Sequence, residues 1–490
     1  MRKNITVKWI AILCCVSAVC NSCESWLQVK MKDKILEEEL FRDVEGYMSA
    51  LNGIYASLNE ESIYGNNLSM GVIDVMAQYY DVKTAKDHTY ETYGDYDYTQ
   101  ESYKKMQSAV WSKIYALLAN VNLLLENCQR TDSPLPELYS ELIQGEAYAL
   151  RGMLHFDLLR LWGPVYSETT KSTECMLYME ASDRVVRPLL TAETVLEKVI
   201  ADLQMAEDLL ADSDPVIEEG PKNGSGVTDV NNYLNYRQYR LNYYAVKALL
   251  ARAWLWKGEN GKAAEKAREV IEVTDSWFPF VSREEVLKED AQKPDRICSK
   301  EVLFGLYNTS RTNLDKKLFV ESISASSRLT LNGSYAEGRI RTMYPDEQDC
   351  RFGLWVKTST DTTEIVYSTK YKDNSDPKNQ YMIPLIRTSE MFLILAECSA
   401  SVKDASDWLN KVRFPRGCLD AAVTEETKDG LIQDEFMREM RGEGQMFFFY
   451  KRKGVKNIPD GATASGMREM NLDSYIWPLP DDEQMNRLMN

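Results

Sequence analysis

The sequence predicts a mainly α-helical protein: tetratricopeptide-like helical hairpins forming one scaffold, with an irregular, loop-rich insertion carrying short strands. Three observations predict it. Apolar residues recur at spacings of three and four through several long segments. Small residues punctuate residues 241–273, where two antiparallel helices would have to approach closely. Between residues 275 and 385 the helical period gives way to short apolar runs among Asn, Ser, Thr, Gly and Asp clusters.

The elements follow in order. From Phe41 to Leu58, Val44, Tyr47, Met48, Leu51, Ile54, Tyr55 and Leu58 keep the helical spacing. Residues 80–103 are polar and Tyr-rich and read as loop. A second helix runs from Ala109 to Asn127, with Val110, Ile114, Leu117, Leu118, Val121 and Leu125 on one side. Ser133-Pro134-Leu135-Pro136 breaks the chain before a third helix, Glu137 to Trp162, which Gly163-Pro164 stops. Leu196, Val199, Leu203, Ala206 and Leu210 predict a helix over 192–210, and the Gly-, Asp- and Asn-bearing residues 211–232 a long loop. In 241–273, Ala251, Ala263 and Val270 lie twelve and then seven apart, Leu250 and Trp254 flank Ala251, and Gly258 and Gly261 mark the turn. A fainter echo runs from Ser389 to Arg413, where Ala396 and Trp408 are again twelve apart. Val302-Leu303-Phe304 and Ile365-Val366-Tyr367 are the clearest strand candidates of the irregular region. Helices resume at Arg387 and from about Leu431 to Lys451, and the prolines of Tyr475 to Pro480 make the tail extended.

Composition narrows the function. The chain has 490 residues, 58 Lys+Arg, 75 Asp+Glu and 2 His, a net charge of −17. Such an acidic surface argues against nucleic-acid binding, which needs cations for phosphate contacts. Two histidines leave little room for a His-rich metal site. The N-terminus reads as a targeting segment: Arg2, Lys3 and Lys8 precede an apolar run from Trp9 to Val19, too short to span a bilayer. Ser22 before Cys23 suits a lipoprotein signal peptidase, so residues 1–22 are expected to be a lipoprotein signal peptide and Cys23 the lipid attachment. Residues 24–34 read as a tether. No later segment is expected to be long enough to span a membrane. The six cysteines after Cys23 are widely spaced, without CxxC, and suggest neither zinc nor a disulfide framework.

Several motifs, in order, resemble the SusD/RagB family of outer-membrane nutrient-binding lipoproteins. They begin at Cys23-Glu24-Ser25-Trp26-Leu27 and continue in Trp111-Ser112-Lys113-Ile114-Tyr115 with Ala119-Asn120. Glu146-Ala147-Tyr148-Ala149-Leu150-Arg151-Gly152, His155-Phe156-Asp157-Leu158 and Leu161-Trp162-Gly163 form the closest match. Later come Ala248 to Arg252, Pro384 to Arg387 with Glu390-Met391, Leu395-Ala396-Glu397, Leu409 to Arg413, Arg438-Glu439, Gly442 to Gln445 and Trp477 to Pro480. Phe447 to Arg452 departs from the family's usual run, and Pro415 interrupts the stretch before Arg416-Gly417. The resemblance implies a helical part at 23–274, the irregular region at 275–385 and a second helical part at 386–490. It also implies a surface lipoprotein that binds an oligosaccharide or oligopeptide and acts as a lid over a SusC-like TonB-dependent transporter.

The residues themselves give no sign of catalysis: GxSxG, P-loop, HExxH and GxGxxG patterns are missing. No cofactor or metal is expected. Asp95-Tyr96-Asp97-Tyr98-Thr99 opens like a calcium loop, but Gln100 and Met106 stand where Gly and Glu are required. His155, among apolar neighbours, reads as structural. Aromatic rings bind sugar C–H faces and extended peptides alike, so Tyr79, Tyr80, Tyr90 and Tyr93 are surface ligand-binding candidates, joined by Trp277, Phe278 and Tyr335. Tyr96 and Tyr98 are expected to pack on the Trp111 helix, and Phe447 to Tyr450 in the core. Arg237 with Arg240, or Lys370 with Lys372, could form a local basic patch. Two other classes compete with nutrient capture: a helical-repeat scaffold recruiting proteins only, and a surface hydrolase, which converging carboxylates in a cleft would favour.

Overall fold

The computed structural model describes residues 36–183, 185–222, 232–359, 364–377 and 379–489. The signal segment, Cys23 and the tether lie outside the described residues, as do residues 223–231 of the 211–232 loop.

Helix α1 (Val44–Leu58) starts where the Asp43 carboxylate accepts the Gly46 N–H at 3.0 Å. It buries Tyr47, Met48, Leu51, Ile54, Tyr55 and Leu58, the predicted stripe. Helix α2 (Glu101–Cys128) begins eight residues before the expected Ala109. Tyr103, Met106, Gln107 and Val110 extend its buried face, but the polar residues between them hide the period in the sequence. By length and composition α2 is also apolar enough to cross a membrane. That corrects the expectation that no such segment follows the N-terminus. Its apolar face, from Val110 to Leu125, is packed inside the protein.

Helix α3 (Glu137–Trp162) ends at Gly163 and is buried on nearly every side after Ala149. Helix α4 (Ala192–Leu210) is capped by Thr191 and packs along it. Glycine makes that approach possible: a Cβ on Gly145 would stand 2.7 Å from Leu210 Cγ, and one on Gly152 3.0 Å from Leu203 Cδ2. Helices α5 (Tyr243–Lys257) and α6 (Asn260–Ile271) form the predicted hairpin, turning through Gly258 at φ +84°. Ala248, Ala251, Ala263 and Ala267 are buried along it. Helices α7 (Thr388–Cys398) and α8 (Val402–Arg413) make the second hairpin. Each helix packs on the next along this row, and α6 packs directly on α7. The mainly α architecture of stacked hairpins is the one the periodicity predicts.

The irregular region loops out between α6 and α7. Strand Val302–Tyr307 pairs antiparallel with Met382–Arg387, Val302 opposite Arg387 and Tyr307 opposite Met382, and so draws its ends together. Within it, strand Glu364–Ser368 is the centre of a three-stranded antiparallel sheet between Leu331–Asn332 and Trp355–Ser359.

The single helix expected from Leu431 to Lys451 is two helices, α9 (Lys428–Glu439) and α10 (Met446–Lys453). Gly442 and Gly444, at φ +80° and +70°, take the left-handed backbone that separates them. Their N–H groups donate to the buried Asp74 carboxylate of helix Val72–Met76, at 2.5 and 3.2 Å. Burial pushes the Asp74 carboxyl up to about 7, against the pull of these N–H groups and of Lys370 and Arg441.

Most of the polar motif residues prove to be buried partners. Arg151 grips Asp202 at 2.7 and 2.6 Å, Arg237 pairs with Glu146 at 2.7 Å and Asp214 at 2.9 Å, and Arg252 holds Glu390 through Nε and Nη2, both at 2.6 Å. The largest cluster fastens the strand pair to α9. Arg416 bonds Glu301 and Glu439 at 2.7 and 2.6 Å, and Arg387 reaches Glu301, Glu439 and Glu443. Arg351 adds a third cation on Glu439, at 2.7 Å. Burial alone would raise the Glu439 carboxyl. Arg416, Arg387 and Arg351 outweigh it and hold Glu439 well below the usual carboxylate range.

The remaining sequence expectations settle here. His155 is fully buried, stacked on Tyr178 at 3.7 Å; its Nε2 accepts the Met179 N–H at 2.9 Å while Nδ1 faces the Arg151 carbonyl. Burial lowers its pKa to about 3, so the ring is neutral and structural. Phe447 to Tyr450 are buried. Arg237 and Lys370 are buried in ion pairs, so neither paired basic patch forms. The tail is tied down by the Trp477 N–H, which donates to the Leu161 carbonyl at 3.0 Å.

Candidate functional site

A cavity of about 490 Å³ opens in the irregular region. Its walls come from two rigid pieces. Helix Arg311–Leu318 supplies Asp315 and Lys316, and the chain leaving it supplies Val320, Glu321 and Ser322. The facing wall is Tyr367 to Thr369 with Lys372.

Local pairing explains why these side chains meet. Tyr367 sits on the central strand opposite Val356, while Val366 points into the core, as strand alternation requires. Beyond the strand, Thr369 donates its N–H and hydroxyl to the Leu354 carbonyl at 2.8 and 3.0 Å. Lys370 turns inward to Glu443 and the Arg441 carbonyl, both at 2.6 Å, and Lys372 turns outward to Asp290 at 2.6 Å. Across the groove, Arg311 donates to the carbonyls of Asn379 and Met382 at 2.8 and 3.1 Å, which fixes the helix carrying Asp315.

The electrostatics are mixed. Burial pushes Asp315 up to about 6, with Arg311, Lys372 and Arg296 pulling the other way. Burial raises the Tyr367 phenol, and the neighbouring Glu321 carboxylate raises it further. Carboxylate acceptors, ammonium donors, the Ser322 hydroxyl and a half-buried ring thus line one open space. That set hydrogen-bonds a polyhydroxylated ligand from several sides while the ring covers an apolar face. Among the described residues, no group of three or more His, Cys, Asp or Glu is arranged to hold a metal ion. Asp95, at the start of the calcium-like run, is instead paired with Lys83 and with Arg468 at 2.8 Å.

The predicted aromatics fall in three places. Tyr79, Tyr80 and Tyr93 are buried, which corrects the expectation that they lie on the surface. Tyr79 donates to the Met437 carbonyl at 2.6 Å, Tyr80 packs on Phe319 at 5.8 Å beneath the groove wall, and Tyr93 packs on Tyr103 at 6.2 Å. Tyr90 and Tyr335 are half-buried, where residues 81–90 meet the irregular region. There the 81–89 loop pairs with residues 326–330: Asp81 N–H donates to the Thr330 carbonyl at 2.9 Å, and Thr89 N–H to Ser326 at 2.8 Å. Tyr335 is fixed to this loop through the Asp81 carboxylate. Trp277 packs over Gly220 in a different part of the molecule, and Phe278 is fully buried. Tyr98 packs on Tyr103 of α2 at 4.5 Å with the rings tilted, as expected, while the Tyr96 hydroxyl donates to the Met76 carbonyl at 2.5 Å. Sequence reasoning missed Asp315, Glu321 and Tyr367. Tyr367 had one legible signal, its place beside Ile365 and Val366 in a predicted strand.

A body of stacked helical hairpins with an open polar groove in its insertion defines a helical-repeat protein. The comparisons with known proteins agree. Residues 25–219 match a family described as starch-binding and associating with the outer membrane, and residues 334–486 match the SusD family. The chain belongs to the SusD/RagB family.

A SusD-like protein of Formosa agariphila is 25% identical over 502 residues, covering 91% of each chain. Another from the same organism is 26% identical over 211 residues, which is 42% of this chain and 37% of that relative. A further one also matches over only 37% of its own length. Among solved structures, a SusD superfamily protein of Bacteroides thetaiotaomicron superposes with a TM-score of 0.68 at 22% identity, covering 90% of this chain and 98% of that one. A SusD-like carbohydrate binding protein of Bacteroides vulgatus gives 0.68 at 18% identity, over 90% and 96%. At these identities the superpositions speak for the fold.

Proposed function

We propose that this chain is a cell-surface lipoprotein of the outer membrane, anchored through Cys23, that captures an oligomeric nutrient and hands it to a SusC-like TonB-dependent transporter. The nutrient is a glycan in preference to an oligopeptide. The observation that carries this reading is the groove between helix Arg311–Leu318 and strand Glu364–Ser368, where Asp315, Glu321, Ser322 and Lys372 surround the Tyr367 ring. Supporting it are the family's description as starch-binding and outer-membrane-associating, and a carbohydrate-binding structural neighbour. Capture needs only reversible binding, so the chain holds its ligand without altering it.

Calorimetry of the native chain against a panel of neutral glycans and oligopeptides tests this. Heat with at least one glycan, lost in Tyr367→Ala, is expected; no heat with any glycan overturns the glycan reading, and heat with peptides alone replaces it. One observation favours a surface hydrolase as a second reading: Asp315 and Glu321 share the groove, and Asp315 is pushed up to about 6. Recovery of the bound glycan at its original length after prolonged incubation decides against hydrolysis.

A further inference from the structure

Beside the buried ion cluster lies a second, much smaller cavity, of about 20 Å³. Val286, Ile297 and Leu354, all buried, close it on one side. Room of that size takes one particle about as large as a water molecule and leaves no place for phosphate, sulfate or a carboxylate. The rest of the wall is cationic. Arg351, Lys370, Arg387, Arg416, Arg438 and Arg441 line it, and all six are buried. Glu439 is the one acid on this wall, and both its oxygens are taken. Arg387 and Arg416 hold Oε1, and Arg351 and Arg416 hold Oε2.

The charges around this cavity do not balance. Arg351 pairs with Asp349 and Glu435 at 2.7 Å each, Arg438 with Glu435 at 2.9 Å and Lys370 with Glu443 at 2.6 Å. With Glu301 and Glu439 on Arg387 and Arg416, six buried cations meet five buried carboxylates. Arg413, nearer the surface, adds a further cation on Glu435 at 3.0 Å. Arg441 is the cation left over, since it makes no ion pair with any of the five. Its Nη1 donates to the Ser368 hydroxyl, its guanidinium lies 4.6 Å over the Trp355 ring, and its Nε–H is buried without a partner. Asp74 acts on Arg441, but its oxygens accept the Gly442 and Gly444 N–H groups, and burial holds its carboxyl up at about 7. Arg296, on the same wall, bonds Asp290 through Nη2 and keeps a buried Nη1 without a partner. The Cys298 and Cys350 thiols add no negative charge, because burial raises both, Cys350 to about 12.

We infer that this cavity is a binding site for one monatomic anion, chloride, held by the Arg441 Nε–H and the Arg296 Nη1–H. A buried cation without a counter-charge is among the costliest features a protein core can carry. A water molecule would accept the free N–H groups and leave the surplus charge. One halide ion accepts the same N–H groups, cancels the charge and fits the space. The site draws on both parts of the fold. Arg296, Arg351 and Lys370 come from the insertion, whereas Arg416, Arg438 and Arg441 come from the C-terminal helical part around α9. The anion therefore helps fasten the insertion to the helical body. It stands apart from the groove and makes no use of the glycan reading.

Two measurements on the native chain test this. Crystals grown with sodium bromide in place of chloride, measured at the bromine absorption edge, should show an anomalous peak in this cavity within hydrogen-bond reach of Arg441 Nε. In solution, the chain should melt about 1–3 °C higher in sodium chloride than in sodium gluconate at the same ionic strength, because gluconate is too large to enter. Arg441→Gln, which removes the surplus charge, should erase that difference between the two salts. If this variant does not fold, the two native measurements decide alone. A cavity without a bromine peak, whether it holds water or nothing, overturns the site. So does a bromine peak with equal melting in the two salts, which is binding at crystal concentration only. A salt difference that persists in folded Arg441→Gln places the anion elsewhere and overturns it as well.

Discussion

Asp74→Asn isolates one buried carboxyl by its pH signature. Asp74 is fully buried, and its carboxyl is pushed from 3.8 to about 7. A carboxyl raised on folding makes the native state bind more protons than the unfolded chain between those two values. Stability therefore falls as pH rises through that window and levels off above it. A shift of this size corresponds to about 4 kcal/mol in total, with about 2.5 kcal/mol of it lost between pH 5 and pH 8. The Asn variant cannot titrate and has no such loss. It presents a single acceptor to the two glycine N–H groups, which costs about 1–3 kcal/mol for the bond left unmade, at every pH. The difference between variant and native stability should thus move by about 2.5 kcal/mol in the variant's favour from pH 5 to pH 8. Urea unfolding of both proteins at pH 5, 6, 7 and 8 measures it, because every other group cancels in the difference. A difference that stays flat across this range would refute the reasoning that burial outweighs the Gly442 and Gly444 N–H groups.

Other consequences are as concrete. Arg416→Ala leaves Glu301 and Glu439 short of a fully buried partner and should cost about 3–5 kcal/mol in denaturant unfolding. Gly444→Ala would place a Cβ 2.3 Å from the Leu68 carbonyl oxygen at a residue with φ +70°. The backbone strain alone should cost about 1–3 kcal/mol, read as a lower melting temperature. Cys23→Ala should move the protein from the membrane fraction to the soluble fraction; unchanged membrane association would contradict the anchor.

Much of the fold was legible because its signals are local. Gly163-Pro164 ends α3 where the sequence says it must, and the stripe from Leu196 to Leu210 marks α4 to the residue. The break between α9 and α10 was not legible. Apolar residues run on through Phe447 to Tyr450, and the reason for the break is distant: Asp74 draws two glycine N–H groups into a left-handed turn. Burial of Tyr79 and Tyr80 was hidden for the same reason. Their surroundings, Met437 and Phe319, come from far along the chain. The groove is the extreme case, since Asp315, Glu321 and Tyr367 become neighbours only when the insertion folds back on itself. The motif residues were legible as a family pattern, but their chemistry was not. Arg387, Glu439 and Glu443 look like surface charges in sequence and are the buried ion cluster in space.

Whether the insertion on the helical scaffold holds a glycan is decided by a crystal structure of the chain soaked with the glycan that gives calorimetric heat. Sugar density is expected between Asp315, Glu321, Tyr367 and Lys372, with every glycosidic bond intact. Sugar bound elsewhere with that groove empty, or a cleaved product in it, would contradict the account.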